Sequence, residues 1–413
     1  MEKEVRRSII SGRVDAPASA AMAHRAIIAA CFSPGASLVS GIPDSEDIQA
    51  TIGACEAIGA DIVTDKGVAD IFGPEMLLAP NEIDCKKSNT TLKLFLPICS
   101  LFDSPSKLSG SGRLSRKMLR PFSEYLNGLA VSSSDSNGFL PIKVKGPLVA
   151  DNIVYFSGLG TQFLSGFLLS APMRMQDTAI VIEGKTRGMG YIDKTIDMME
   201  KCGVEFFSKK QGMIYLAGRQ GFLSPEELQV PASPYLSSFL LLAGAVGGKV
   251  IVEKMPKYSR LEKLLSKFGA HAKFSEGNFT ASAGVLEGTE LNANELDELL
   301  VHAMVLASLS TKETKLLGIS SLGKRQSNRM RLMARELSRM GAKVKEAPGS
   351  LLVSGGNLQG AEIEPENDPA VAMACSAAAV CASGFTKIKG AEIVSRSFPG
   401  FFRNLAMLGA IVR

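Results

Sequence analysis

Six copies of one pattern run through this chain of 413 residues. Four are plain: "GASLVSGIPDSEDIQATIGACEAIGADIV", "GKVIVEKMPKYSRLEKLLSKFGAHAKF", "TKLLGISSLGKRQSNRMRLMARELSRMGAKVKE" and "TKIKGAEIVSRSFPGFFRNLAMLGAIV". Each has a short alternating strand, a polar turn, an amphipathic helix and a glycine at the exit. Two weaker copies, "SKLSGSGRLSRKMLRPFSEYLNGLAV" and "TAIVIEGKTRGMGYIDKTIDMMEKCGVEFF", fill the gaps. The exit glycines Gly59, Gly128, Gly203, Gly269, Gly341 and Gly409 recur roughly 65 to 75 residues apart, a period that marks stacked supersecondary units.

Between the copies lies a second kind of helix, apolar nearly all round: "TTLKLFLPICSLF", "GLGTQFLSGFLLSAPM", "SPYLSSFLLLAGAV" and "ELDELLVHAMVLASL". Helices of that kind are buried on every side. Short alternating strands such as "MIYLAG" and "SLLVSG" complete each unit as strand, helix, strand, helix, strand, strand. The pattern predicts an α/β protein with sheets outside and apolar helices at the centre. Six units divide as three plus three, and the proline-containing "LSPEELQVPASPY" near the midpoint marks the boundary. The first residues, "VRRSIISGRV", read as a strand able to join either half.

Composition bounds the function. With 46% hydrophobic residues the chain can bury large cores, and its length favours two or three domains. A net charge of +5 is spread along the sequence without basic runs interleaved with aromatics, which suits small acidic ligands and not nucleic acid. The start, "MEKEVRRSII", has no apolar leader pattern, so a cytoplasmic protein is expected. "SSFLLLAGAVGGKVIV" and "DPAVAMACSAAAVCASG" fall short of a membrane span. Seven cysteines without a CxxC pair and three histidines argue against a disulfide framework or a zinc site. The cysteines read instead as small buried hydrophobes.

One stretch poses a chemical question. "DAPASAAMAHRAIIAA" reads as a turn into a buried helix, with Ser19 placed to cap it and Arg25 in its early turns. An anion site at such a helix start usually offers Lys and Ser side chains. Ala20 and Ala21 stand there instead.

Six such units in this length resemble the enolpyruvyl transferase family, specifically its EPSP synthase branch, and the resemblance runs over essentially the whole chain. It implies a two-domain, inside-out α/β barrel with three βαβαββ units per domain. One domain would span 15–230 and the other 1–14 plus 231–413, with an active cleft between them. It further implies a monomer that needs no cofactor and no metal, binding shikimate 3-phosphate and phosphoenolpyruvate. Against the family's Pro-Gly-Ser-Lys-Ser segment, Arg25 keeps the Arg that holds shikimate 3-phosphate, while Ala20 and Ala21 replace Lys and Ser. "DSEDIQATIGACEAIGA" matches the next segment closely, its acids serving to cap a helix.

The remaining matches are uneven. In "CKKSNTTLKLF", Lys86, Lys87 and Asn89 replace Gly, Asn and Gly of a phosphoenolpyruvate loop, Thr90 remains, and Lys93 stands for an Arg. The family's Arg-Pro matches Lys117, with Arg113, Arg116 and Arg120 as other candidates. "GLGTQFLSGFLLSAP" keeps Thr161 and Gln162 of a phosphate-binding helix start, with Gly160 for a Ser. "GMGYIDKT" keeps Tyr191 and Asp193 but has Gly188 at a phosphate-binding Ser. In the second half Asp297 takes the place of the carboxylate that contacts substrate hydroxyls and acts as base. In "SSLGKRQSNRM", Arg325 stands for Lys, Gln326 for a proton-carrying Glu, Asn328 for Asp, and Arg329 keeps the Arg. Pro369 and Ala370 replace a His-Arg pair, and Arg396 stands for a Lys before the retained Phe-Pro.

Enolpyruvyl transfer places two anions in one site. It therefore requires several cations, plus an acid and a base in reach of carbon and oxygen. The resemblance implies transfer from phosphoenolpyruvate to shikimate 3-phosphate, on the shikimate route to aromatic amino acids. Relocated cations, Lys86, Lys87, Lys324 or the Arg113 to Arg120 cluster, would compensate for the lost ones if they point into the cleft. Two other readings stay open: a non-catalytic member of the fold that binds an anion or a protein partner, and transfer to another acceptor such as a UDP-sugar. The UDP-sugar enzyme's reactive Cys loop has no counterpart around "SGSGRLSRKML".

Overall fold

The computed structural model describes residues 1–112, 114–115, 130–133, 140–147, 152–156, 160–183, 188–210 and 212–413. Their strands form six four-stranded sheets. Three belong to a compact unit of Ala18–Pro231 and three to a second unit made of Met1–Pro17 with Ala232–Arg413.

The repeat is clearest between Glu290 and Ser354. Strand Glu290–Asn292 leads through helix Leu300–Ser308 to strand Thr314–Leu317, then through helix Lys324–Arg339 to the hairpin Lys343–Ala347 and Ser350–Ser354. The first two strands pair in parallel, Leu291 opposite Leu316, and the others antiparallel, Leu316 opposite Leu351 and Val344 opposite Val353. A parallel pair needs a crossover, usually a helix. Here it is Leu300–Ser308, buried along its whole length. The second helix is amphipathic and buries Met330, Met333 and Leu337 on one face.

Each unit has three such apolar helices in its core. They are Ala20–Phe32, Asn89–Ile98 and Thr161–Ser170 in one, and Pro234–Gly247, Leu300–Ser308 and Pro369–Ala379 in the other. Five of the six exit glycines, Gly59, Gly203, Gly269, Gly341 and Gly409, have φ of +108°, +78°, +88°, +92° and +99°. That left-handed conformation ends a helix without a Cβ clash. Gly128 lies outside the described residues.

The N-terminal segment is two strands rather than one. Glu2–Arg6 sits between Phe385–Lys389 and Ile411–Val412, and Ile10–Asp15 pairs in parallel with Gly248–Glu253. The helix packed behind that second pair, Pro234–Gly247, follows only after the intervening chain has built the other unit. Strand Glu227–Gln229 closes the other unit's sheet in parallel with Gly35–Ser40. At the crossovers Ser19 N donates to Pro231 O at 2.9 Å in one unit, and Ser233 N to Pro17 O at 2.7 Å in the other.

Two capping expectations are corrected. Ser19 begins helix Ala20–Phe32 but its side chain makes no cap hydrogen bond. Helix Glu46–Ala57 is capped by Ser45, whose hydroxyl accepts from Ile48 N, and Glu46 and Asp47 occupy its first turn. Of the cysteines, only Cys381 is not fully buried. Burial pushes the Cys99 thiol up to about 12 and those of Cys202 and Cys381 to about 11, so none of these three is a thiolate at neutral pH. No described helix is long and apolar enough to cross a membrane.

Candidate functional site

In the Ala18–Pro231 unit the centre of the site is Arg25, a guanidinium only 1% exposed. Its Nε donates to Thr195 Oγ1 at 2.9 Å and Ser165 Oγ at 3.1 Å, its Nη2 to Ser165 Oγ at 2.8 Å, and its Nη1 to the Ala21 carbonyl. The Tyr191 ring lies 5.9 Å away. Among the described residues no carboxylate pairs with this cation. Burial lowers it to about 10, so it stays charged at neutral pH.

The elements around Arg25 bring the sequence candidates together. Ser165 is one turn after Thr161 on helix Thr161–Ser170, and Thr195 one turn after Tyr191 on helix Gly190–Lys201. Residues four apart share a helix face, so Thr161 and Tyr191 lie along the faces that meet Arg25. Gly160 precedes the first helix at φ +83°, and a Cβ there would sit 3.0 Å from Lys93 Nζ and 3.3 Å from Gln162 Oε1. At Gly188, φ +80°, a Cβ would be 3.5 Å from the Thr161 methyl and 3.7 Å from the Tyr191 ring. Arg25, Lys93, Thr161, Gln162 and Tyr191 are therefore neighbours. Two cations and three uncharged hydrogen-bonding side chains around glycine turns are the chemistry of an oxyanion-binding site.

Behind this site a chain of buried polar groups fixes the helices. His24 Nδ1 meets Thr51 Oγ1 at 2.6 Å, Thr51 meets Thr91 Oγ1 at 2.7 Å, and Thr91 donates to Ser88 Oγ at 2.8 Å. Burial, with Arg25 beside it, lowers His24 to about 3, so the imidazole is neutral. Ser88 also accepts from Thr91 N at 3.1 Å as the cap of helix Asn89–Ile98, which sets half-buried Thr90 in the first turn. Lys87 is not a spare cation, because its ammonium pairs with Glu46 at 3.2 Å. Lys86 is exposed at φ +48°. Lys117, Arg113, Arg116 and Arg120 lie outside the described residues.

The second unit holds a separate cluster. Asp297 sits at φ +47° between the short helix Ala293–Leu296 and the 3-10 turn Asp297–Leu299. A non-glycine residue in that region is strained, and strain of this kind gathers at functional sites. Asp297 caps neither element: Asn292 caps the short helix, and the turn has no side-chain cap. Gln326 Nε2 donates to the Asp297 carbonyl at 2.8 Å and to its Oδ1 at 3.4 Å. The next residue, Glu298, accepts from Tyr258 Oη at 2.5 Å. Burial raises the Glu298 carboxyl above its ordinary range, and the Tyr258 hydroxyl only partly offsets this.

Arg329 is 7% exposed, and its Nε donates to Asp368 Oδ2 at 2.7 Å. Burial would lower this guanidinium, but Tyr235 and Asp368 hold it up, and the balance is upward. Among the described residues its terminal nitrogens have no protein acceptor. Asp368 Oδ1 caps helix Pro369–Ala379 by accepting from Ala370 N and Val371 N. A proline in the first helical turn fits that start. Arg325 is exposed on the first turn of helix Lys324–Arg339. Arg396 is exposed at a cleft of about 240 Å³ shared with Lys389, Glu364, Glu366, Asn367 and Glu392.

Sequence reasoning missed Ser165, Thr195, Tyr258 and Glu298. The i, i+4 spacing behind Thr161 and Tyr191 is a usable signal for the first two. Nothing local announces Tyr258, 40 residues before its partner.

A family model described as EPSP synthase (3-phosphoshikimate 1-carboxyvinyltransferase) matches residues 6–405. The 3-phosphoshikimate 1-carboxyvinyltransferase of Clostridium perfringens (strain 13 / Type A) is 30% identical over 98% of both chains. That of Methanocella arvoryzae is 31% identical over 100% of each. The solved EPSP synthase of Acinetobacter baumannii superposes with a TM-score of 0.84 at 23% identity, over 100% of this chain and 99% of that one, a likeness of fold. With the model spanning nearly the whole length and relatives at this identity, the chain belongs to the EPSP synthase family.

Proposed function

We propose that this protein transfers the enolpyruvyl group of phosphoenolpyruvate to shikimate 3-phosphate and releases phosphate, a step of aromatic amino-acid synthesis. The observation that carries the reading is Arg25, a buried cation without a carboxylate partner among the described residues, framed by Thr161, Gln162, Tyr191 and Lys93. Hydrogen bonds to Ser165, Thr195 and Ala21 satisfy its donors but supply no counter-ion, and an anionic phosphate does. Thr161 and Gln162 donate to the phosphate oxygens, and Lys93 adds the charge that Ala20 does not.

In the other unit Arg329 offers its free terminal nitrogens to a carboxylate, the bidentate geometry that guanidinium suits. Asp297, held by Gln326, accepts the proton of the attacking hydroxyl, and Arg325 adds charge nearby. Thr90, Lys117 and Arg396 complete the substrate contacts in this reading. Phosphoenolpyruvate itself carries the transferred group, so no organic cofactor or metal enters. We take the protein to act as a cytoplasmic monomer, with domains of 15–230 and of 1–14 plus 231–413.

Calorimetric titration of shikimate 3-phosphate into the wild type and Thr161→Val tests the reading. Saturable heat in the wild type, weakened at least about tenfold in the variant as one charge-assisted hydrogen bond is lost, is expected. Equal binding by the two proteins, or binding by neither, would reject this phosphate site.

A further inference from the structure

The position at which the resemblance expects a proton-carrying Glu holds an amide here. Gln326 cannot ionise, and its amide is already committed to the Asp297 carbonyl and carboxylate. The reaction still needs an acid that gives a proton to the methylene carbon and takes one back.

Resting on the function proposed above, we infer that Glu298, backed by Tyr258, is the proton carrier of this protein. Three features of the structure support the assignment. Glu298 follows Asp297 in the strained turn, so the acid and the base leave the same short segment. The Tyr258 hydroxyl donates to Oε1 at 2.5 Å, which fixes the carboxyl and leaves Oε2 to carry the proton. The charged and titratable groups whose fields reach it are Tyr258, Asp297, Arg260, Arg329 and Tyr235, so it shares the neighbourhood of the guanidinium assigned to the substrate carboxylate. Burial, the largest influence, and the adjacent Asp297 favour the neutral acid, as a proton donor requires.

The step balances. Glu298 gives its proton to the methylene carbon, which binds it with the electron pair of the double bond. The hydroxyl oxygen of shikimate 3-phosphate bonds to the adjacent carbon, and its proton passes to Asp297. In the second half the carbon–oxygen bond to phosphate breaks, and the leaving phosphate takes the bonding pair and the proton from Asp297. The methyl carbon returns a proton to Glu298, and the double bond re-forms.

The test is deuterium entry into the methylene of phosphoenolpyruvate in heavy water with shikimate 3-phosphate present, measured beside shikimate 3-phosphate affinity. Glu298→Gln is expected to lose about 10²-fold or more of exchange and of kcat, with shikimate 3-phosphate affinity held. Glu298→Asp restores part of the exchange. Tyr258→Phe, which keeps the ring and loses the hydroxyl, lowers kcat and shifts the pH limb of the carrier without raising KM for shikimate 3-phosphate. Exchange in Glu298→Gln within about tenfold of wild type overturns the assignment while leaving the transfer reading intact. A wild type that neither binds shikimate 3-phosphate nor exchanges deuterium overturns both. Should Glu298→Gln fail to fold, Tyr258→Phe decides: an unchanged kcat rejects the role.

Discussion

Replacing Arg25 by methionine separates stability from binding. Burial lowers the guanidinium from the ordinary arginine value to about 10. At about 1.4 kcal/mol per pKa unit, keeping the charge costs the fold about 3 kcal/mol. Against this stand the hydrogen bonds to Ser165, Thr195 and Ala21, of which one or two net contributions of about 1.5–3 kcal/mol each survive desolvation. The two sums nearly cancel, so Arg25→Met changes unfolding free energy by less than about 2 kcal/mol. The folded-state value is depressed, so the cost acts at every pH below about 10 and fades as pH rises above it. Denaturant unfolding checks this with and without shikimate 3-phosphate. The ligand at a hundred times its Kd adds about 2.7 kcal/mol to the wild type and almost nothing to the variant. A loss above about 4 kcal/mol without ligand would make Arg25 a structural residue, and equal ligand stabilisation of both proteins would refute the anion role.

Gln326→Glu would put a carboxylate where an amide now donates to Asp297 Oδ1 at 3.4 Å. Two carboxylates at that range push one titration upward, so the substitution alone is expected to leave kcat no higher at neutral pH and to move the acid limb of its pH profile. Gly160→Ala introduces a Cβ 3.0 Å from Lys93 Nζ at φ +83°. The strain is about 1–2 kcal/mol, seen as a lower Tm, with weaker shikimate 3-phosphate binding because the ammonium is displaced. Glu336, fully buried, accepts from Arg335, Arg339 and Glu364 N. Arg335 and Arg339 are part-exposed and keep Glu366 and Glu364 as partners, so Glu336→Ala removes charged hydrogen bonds without stranding a buried charge and should cost about 1.5–3 kcal/mol in denaturant unfolding, without altering shikimate 3-phosphate affinity in the protein that remains folded.

The fold was more legible in the sequence than the site. Exit glycines and all-apolar helices are enforced by backbone sterics and burial, and both leave their mark within a dozen residues. The break between Glu2–Arg6 and Ile10–Asp15 is fainter, since Arg7 to Ile9 have nothing that stops a strand in a linear reading. Arg25 was placed by its position in a helix. Ser165 and Thr195 were not, because hydroxyl residues inside buried helices bond their own turn by default, and only the packing of three helices turns them toward a guanidinium. Asp297 is placed by its match to the family's carboxylate, but the strain at its φ of +47° leaves no mark in the sequence. Lys87 reads as a relocated cation until its ion pair with Glu46 appears.

The central claim is that this altered site still performs enolpyruvyl transfer. It is tested most directly by adding phosphoenolpyruvate to the purified wild type saturated with shikimate 3-phosphate and counting the phosphate released. The account predicts release beyond one phosphate per protein, dependent on both substrates. Binding of shikimate 3-phosphate with no phosphate released would contradict it and leave an anion-binding protein on an enzyme's fold.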